Sequence, residues 1–228
     1  MSLVAQATGG FFSWEWVVNN LDDIWDRTIE HLLLTAIAVA VGMVVSLALS
    51  LIALRYRRTY APITWFAGVL YTIPSLALFA FLVPLTGLSV LTAEIGLVSY
   101  TLLILIRNTV AGIDGVPPAT VESARGMGYK RSELFLAVEL PLALPVIMAG
   151  VRIAAVTTIG LVTVTALIGQ GGLGFFILRG LNLFYSPIGT TQIVVGTALS
   201  VVLAVAVDVS LVGIERLATP WARRKAPA

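Results

Sequence analysis

Between Leu32 and Leu54 the chain runs without one charged side chain, and four more apolar stretches follow at 63–85, 89–111, 144–168 and 190–214. Within those four, the only charges are Glu94, Arg107, Arg152 and Asp208. A helix crosses the hydrocarbon core of a bilayer with about 20 apolar residues. Each stretch is therefore long enough to span, and lipid is the solvent most of the chain has to satisfy. A backbone in lipid must close its own hydrogen bonds, which at these segment lengths means helices. Composition agrees: of 228 residues 58% are hydrophobic and 11% charged, against about 25% charged in soluble domains. The expected fold is all-α, a polytopic membrane helix bundle of about five transmembrane helices.

Several function classes drop out. There is no cysteine and a single histidine, His31, so neither a disulfide framework nor a Cys/His metal site is expected. The net charge of +2 is not a nucleic-acid patch, because the basic residues sit at the ends of apolar runs. Arg55, Arg57, Arg58, Arg107, Arg125, Lys130, Arg131, Arg216, Arg223, Arg224 and Lys225 fall on one side, eleven of the fourteen Lys and Arg. Basic loops mark the cytoplasmic face. The N-terminus is then expected outside and the C-terminus in the cytoplasm, as an odd number of spans requires. Residues 1–14 hold no Lys or Arg, so the first apolar run is expected to act as an uncleaved targeting signal. Trp14–Glu30 mixes tryptophans with acids and reads as an outer interfacial helix.

One long polar excursion, Asp114 to Pro145, cannot span. Pro117 and Pro118 should stop the preceding helix, and Thr120 with Glu122 should start a short new one. Gly126 and Gly128 should end it, and Pro141 and Pro145 should break the chain again before the next span. A short helix lying across the cytoplasmic face is a shape that a partner groove can grip.

Within this excursion, Glu122-Ser123-Ala124, three residues, Gly128, nine residues, Val138, one residue and Leu140-Pro141 resemble the EAA loop of binding-protein-dependent ABC importer permeases. The spacing is kept, with Ser123 in place of alanine and Val138 in place of isoleucine. The resemblance implies a type I importer-like fold in which residues 114–141 form the coupling loop. Glu122, Ser123, Ala124, Gly126, Met127, Gly128 and Tyr129 would dock a partner ATPase. Ala166–Gly174 with Arg179-Gly180-Leu181, Gly150-Val151-Arg152 and Glu215–Trp221 is similar to permeases of the glycine betaine/carnitine/choline class. Methionine-type permeases share related stretches, so an amino acid such as methionine is the alternative cargo. The chain then divides into an extracytoplasmic segment 1–30, a permease domain 31–216 and a cytoplasmic tail 217–228.

The resemblance further implies two ATPase subunits, a second permease chain (identical or paralogous) and an extracytoplasmic substrate-binding protein, all in a bacterial inner membrane. No cofactor is expected on this chain; ATP and magnesium belong to the ATPase. The Gly169–Gly174 glycines lack the Gly-Lys-Ser/Thr of a phosphate loop and read as a loop or tight-packing segment.

Arg152 and Asp208 each lie about seven residues, roughly 10 Å, from the cytoplasmic end of their spans. A lone charge at such depth costs about 3 kcal/mol, so the two are expected to pair. Glu94, near an outer end, reads as a group facing water. Tyr71, Pro74 and Ser75 fall mid-span where Pro74 should kink the helix, and are candidate pathway-lining residues. An ion-coupled carrier would need a midplane ionisable network and an internal repeat, and an enzyme would need clustered catalytic side chains; neither pattern is in the sequence.

Overall fold

The computed structural model describes residues 12–183 and 186–221. The tail basic residues Arg223, Arg224 and Lys225 lie outside the described residues. Among those described, every regular element is helical. In chain order the α-helices are α1 (Trp14–Asn19), α2 (Leu21–Arg55), α3 (Tyr60–Thr72), α4 (Ser75–Thr86), α5 (Val90–Asp114), α6 (Pro118–Gly126), α7 (Arg131–Leu134), α8 (Leu140–Val162), α9 (Gly174–Asn182) and α10 (Pro187–Ala218). Four helical stretches are long and apolar enough to cross a membrane: Leu21–Arg55, Val90–Asp114, Arg131–Ile168 and Pro187–Ala218. A fifth results if α3 and α4 together form one broken span.

The elements differ from the sequence expectations in five places. Residues 21–30 belong to the same helix as the first apolar run; only Trp14–Asn19 forms a separate short helix. The second span does not kink at Pro74 but breaks there. Ile73 and Pro74 are extended, with ψ of 128° and 132°, because a proline pushes the residue before it out of the α region. Thr120 does not cap α6: Pro117 holds the cap position and Pro118 the first helical one, where a missing N–H costs nothing. The glycine-rich stretch after 168 contains α9. Finally, Pro141 and Pro145 do not interrupt the chain. Helix continues from Arg131 through a wide π turn at Phe135–Glu139 into α8. Pro141 has no N–H to give the turn below it and its ring crowds the carbonyl there; the wide turn supplies the room.

The chain forms two compact units. One comprises residues up to Ala38, Pro74–Leu97 and Thr157–Val205. Here the glycine-rich turn is seated on α2. His31, fully buried, bonds through Nε2 with the carbonyl of Ile159 at 3.0 Å. Glu30 accepts from Arg27 at 2.8 Å and from the Gly171 amide at 3.2 Å. The Arg27 guanidinium stacks on Phe175, 4.1 Å from the ring centre. Gly172 lies at φ +48°, and a Cβ there would meet His31 Cβ at 2.5 Å and the Arg27 carbonyl at 2.7 Å. Only glycine meets both the backbone and the contact requirement.

The other unit comprises Val39–Ile73, Val98–Val156 and the chain from Ala206 onward. Its core gathers Ala67, Leu102 and Ile106, with Leu49, Ile63 and Leu70 packed against them. Small residues let helices approach: a Cβ at Gly112 would stand 3.0 Å from the Ala143 carbonyl, and one at Gly150 would stand 2.5 Å from Asn108 Cβ. Close packing of small residues replaces the missing hydrophobic driving force between helices in lipid.

Candidate functional site

The polar excursion folds into a short helix with a defined stop, entirely within the second unit. Gly128 lies at φ +90°. Its amide donates to the Arg125 carbonyl at 3.0 Å, and the Tyr129 amide donates to that of Ala124 at 3.2 Å. These two bonds make a Schellman stop, which satisfies the end carbonyls of α6 and calls for glycine at the left-handed residue. Gly126, the other glycine of the segment, has no positive φ and nothing within 4 Å of a Cβ.

The motif residues take different environments. Ala124 is buried, at 2% exposure; Glu122 and Ser123 are exposed, and the Ser123 hydroxyl donates back to the Ala119 carbonyl at 2.8 Å. Met127 is 71% exposed. Met127, Gly128, Tyr129, Glu133, Leu136 and Ala137 line a shallow groove of about 600 Å³. Its lining is mostly apolar, and an exposed methionine within it is an adaptable contact. The chain beyond is fixed by Glu133, whose carboxylate accepts from the Lys130 amide at 2.9 Å.

Two ion pairs tie this unit together. Arg57 donates two hydrogen bonds to Asp114, at 2.8 and 2.7 Å, joining the turn after α2 to the end of α5. That bond raises the Arg57 pKa above its already high value. Deeper in the sequence of spans, Arg152 on α8 donates through Nε and NH2 to the two oxygens of Asp208 on α10. Glu215 stands 3.7 Å from the same guanidinium, a partner the sequence reading did not name. Its signal was there: positions 208 and 215, seven apart, share a helix face.

The candidate pathway residues surround the break between α3 and α4. Pro74 caps α4 and Ser75 opens it. Tyr71 packs edge-on against Tyr100 with ring centres 6.0 Å apart, and the Tyr100 hydroxyl donates to the Ile73 carbonyl that the break leaves without a helical partner. Tyr100 was not expected from sequence. Glu94 does not face water: both carboxyl oxygens are out of solvent, with no hydrogen-bond partner among the described residues. No group of three or more His, Cys, Asp or Glu suited to a metal occurs among the described residues.

Comparison with known proteins places this architecture. Residues 38–219 match the family model described as binding-protein-dependent transport system inner membrane component. The choline transport system permease protein OpuBB of Bacillus subtilis is 38% identical over 90% of this chain and 93% of its own length. The glycine betaine/carnitine/choline transport system permease protein OpuCB of the same organism is 39% identical over 85% of this chain and 88% of its own. The osmoprotectant import permease protein OsmW of Salmonella typhimurium is 33% identical over 90% and 96%. Among solved structures, an inward-facing MetNI methionine ABC transporter chain superposes with a TM-score of 0.74 at 21% identity, covering 91% of this chain and 100% of that one. Its fold is shared. This chain belongs to the family of binding-protein-dependent transport system inner membrane components.

Proposed function

We propose that the chain is the membrane-spanning permease subunit of an ATP-driven importer for an osmoprotectant such as glycine betaine, choline or carnitine. The observation that carries this reading is the agreement among relatives alike over most of their length, whose names all specify such solutes. The methionine transporter resembles the chain in fold alone. The exposed motif helix, its glycine stop and the adjoining apolar groove support a docking role for Glu122–Tyr129.

In this reading two ATPase subunits bind and hydrolyse ATP with magnesium, and two permease chains, identical or paralogous, enclose the path. A binding protein delivers the solute to the outer face. The N-terminus lies outside and the C-terminus in the cytoplasm, on the side of the basic residues. ATP binding draws the ATPases together, α6 follows, and the spans reorient between outward and inward access. Arg152–Asp208 fixes α8 to α10 during that motion.

The test is uptake by proteoliposomes holding this chain, its ATPase, any paralogous permease and the binding protein. Labelled choline, glycine betaine or carnitine should accumulate only with ATP, and methionine should not compete. Uptake driven by an ion gradient without the ATPase, or strong competition by methionine alone, would sink the reading.

A further inference from the structure

We infer that the chain holds the headgroup of an anionic phospholipid in a cleft formed by the ends of α2 and α5 and the connection from α6 to α8. The cleft has a volume of about 1080 Å³ and is lined by five cations, Arg55, Arg57, Arg125, Lys130 and Arg131, against one acid, Glu139. Arg57 is already neutralised by Asp114. Among the described residues, no ion pair engages Arg55, Arg125, Lys130 or Arg131. Four cations around one cavity repel one another, so the cleft attracts an anion that can neutralise several of them.

The layering of the walls selects the anion. Leu51 and Leu54 form an apolar side of the cleft, and Leu51 is 42% exposed on the span surface of α2. Arg55 follows one helical turn later, about 6 Å along the axis. Its guanidinium lies 5.6 Å over the Tyr56 ring, an aromatic–cationic pairing suited to the level of lipid headgroups. A soluble anion has no use for the apolar side; an amphiphile uses both. Basic pockets at the ends of spans are known to suit multiply charged lipid headgroups. A docked ATPase fits less well: of the motif segment only Arg125 and Tyr129 line this cleft, while Glu122, Ser123, Ala124 and Gly128 do not. The inference depends on the chain spanning a membrane and not on which solute it moves.

The test is lipid selection by the full-length chain in complex with its ATPase. Nanodiscs of equal phosphatidylglycerol and phosphatidylcholine are used, and the lipids retained after partial delipidation are counted by native mass spectrometry. The wild type should retain phosphatidylglycerol in about five-fold excess or more. Arg131→Gln should lower that excess by up to about five-fold, the expected effect of one cation near a charged surface. The combination Arg55→Gln, Lys130→Gln, Arg131→Gln should abolish it. Arg58→Gln, which removes the same charge outside the cleft, should not change it, and the Lys/Arg exchange at the same three positions should preserve it in a folded protein. Equal retention by the wild type, or an excess that survives the triple substitution, overturns the inference. So does displacement of the lipid by millimolar glycerol phosphate, which would mark a soluble-anion site. Loss of the ATPase with the lipid excess unchanged would assign the cleft to the ATPase instead.

Discussion

Arg152 and Asp208 face each other through two parallel hydrogen bonds, 2.8 Å from Nε to Oδ1 and 3.0 Å from NH2 to Oδ2, between helices 56 residues apart in sequence. Glu215 approaches the same guanidinium, so the three substitutions should not be equivalent. Arg152→Gln leaves two carboxylates facing one another without a cation and should lower the thermal midpoint most. Asp208→Asn leaves Arg152 with Glu215 and should be milder, and Glu215→Gln milder still. Removing both members of the main pair should cost less than removing Arg152 alone. Thermal unfolding of the four variants in one lipid mixture checks the order; equal effects, or none, would dismiss the pair as a tie between α8 and α10.

The two glycines of the motif segment should also behave differently. A non-glycine residue at Gly128 pays about 1 kcal/mol or more for its positive φ, although a Cβ there meets nothing within 4 Å. Gly128→Val should unfasten the end of α6 and reduce copurification of the ATPase. Gly128→Asn, which tolerates the left-handed region, should retain most of it. Gly128→Asp should lose it by its charge in the adjoining groove while the spans stay folded. Gly126→Ala should be neutral or gain slightly from helix propensity. Normal copurification with Gly128→Val and Gly128→Asp would count against a docking role.

Gly172→Ala should destabilise the chain through overpacking, by about 1–3 kcal/mol, because the new methyl would push into His31 and the α2 backbone. Gly160→Ala, with nothing within 4 Å, is the matched control. Differential scanning fluorimetry of the two variants should separate them by several degrees; coincident midpoints would mean that the glycine-rich turn is not seated on α2.

Tyr100→Phe removes the hydroxyl that satisfies the Ile73 carbonyl and keeps the ring against Tyr71. The loss of one hydrogen bond should cost about 1 kcal/mol, read as a lower thermal midpoint. If the break takes part in opening and closing the path, the rate of uptake should change more than that of Tyr71→Phe, which keeps the same ring pair. Unaltered stability would show that water or lipid serves the carbonyl as well.

The spans were legible because length and apolarity alone decide them: the run from Leu32 to Leu54 has no other place to go. The motif helix was legible because Pro117, Pro118 and Gly128 are residues whose backbone limits are intrinsic. What stayed hidden depends on partners distant in sequence. Pro74 announced a disturbance, yet the clean break needs Tyr100, 27 residues away, to receive the carbonyl it frees. Pro141 announced an interruption that a wider turn absorbs. Glu94 looked like a wet outer group because sequence position says nothing about which face of a helix is covered.

That wider turn has a mechanical consequence. An extra residue in one helical turn advances the helix by about 100°, so residues 135–139 set the angular phase between α7 and the span carrying Arg152. With helix unbroken from Arg131 into α8, a twist that reached Arg131 would be delivered along the span as rotation rather than lost in a slack loop. Deleting one residue between Phe135 and Glu139 would leave both ends folded and set them out of step, like a shaft reassembled one tooth off on its gear.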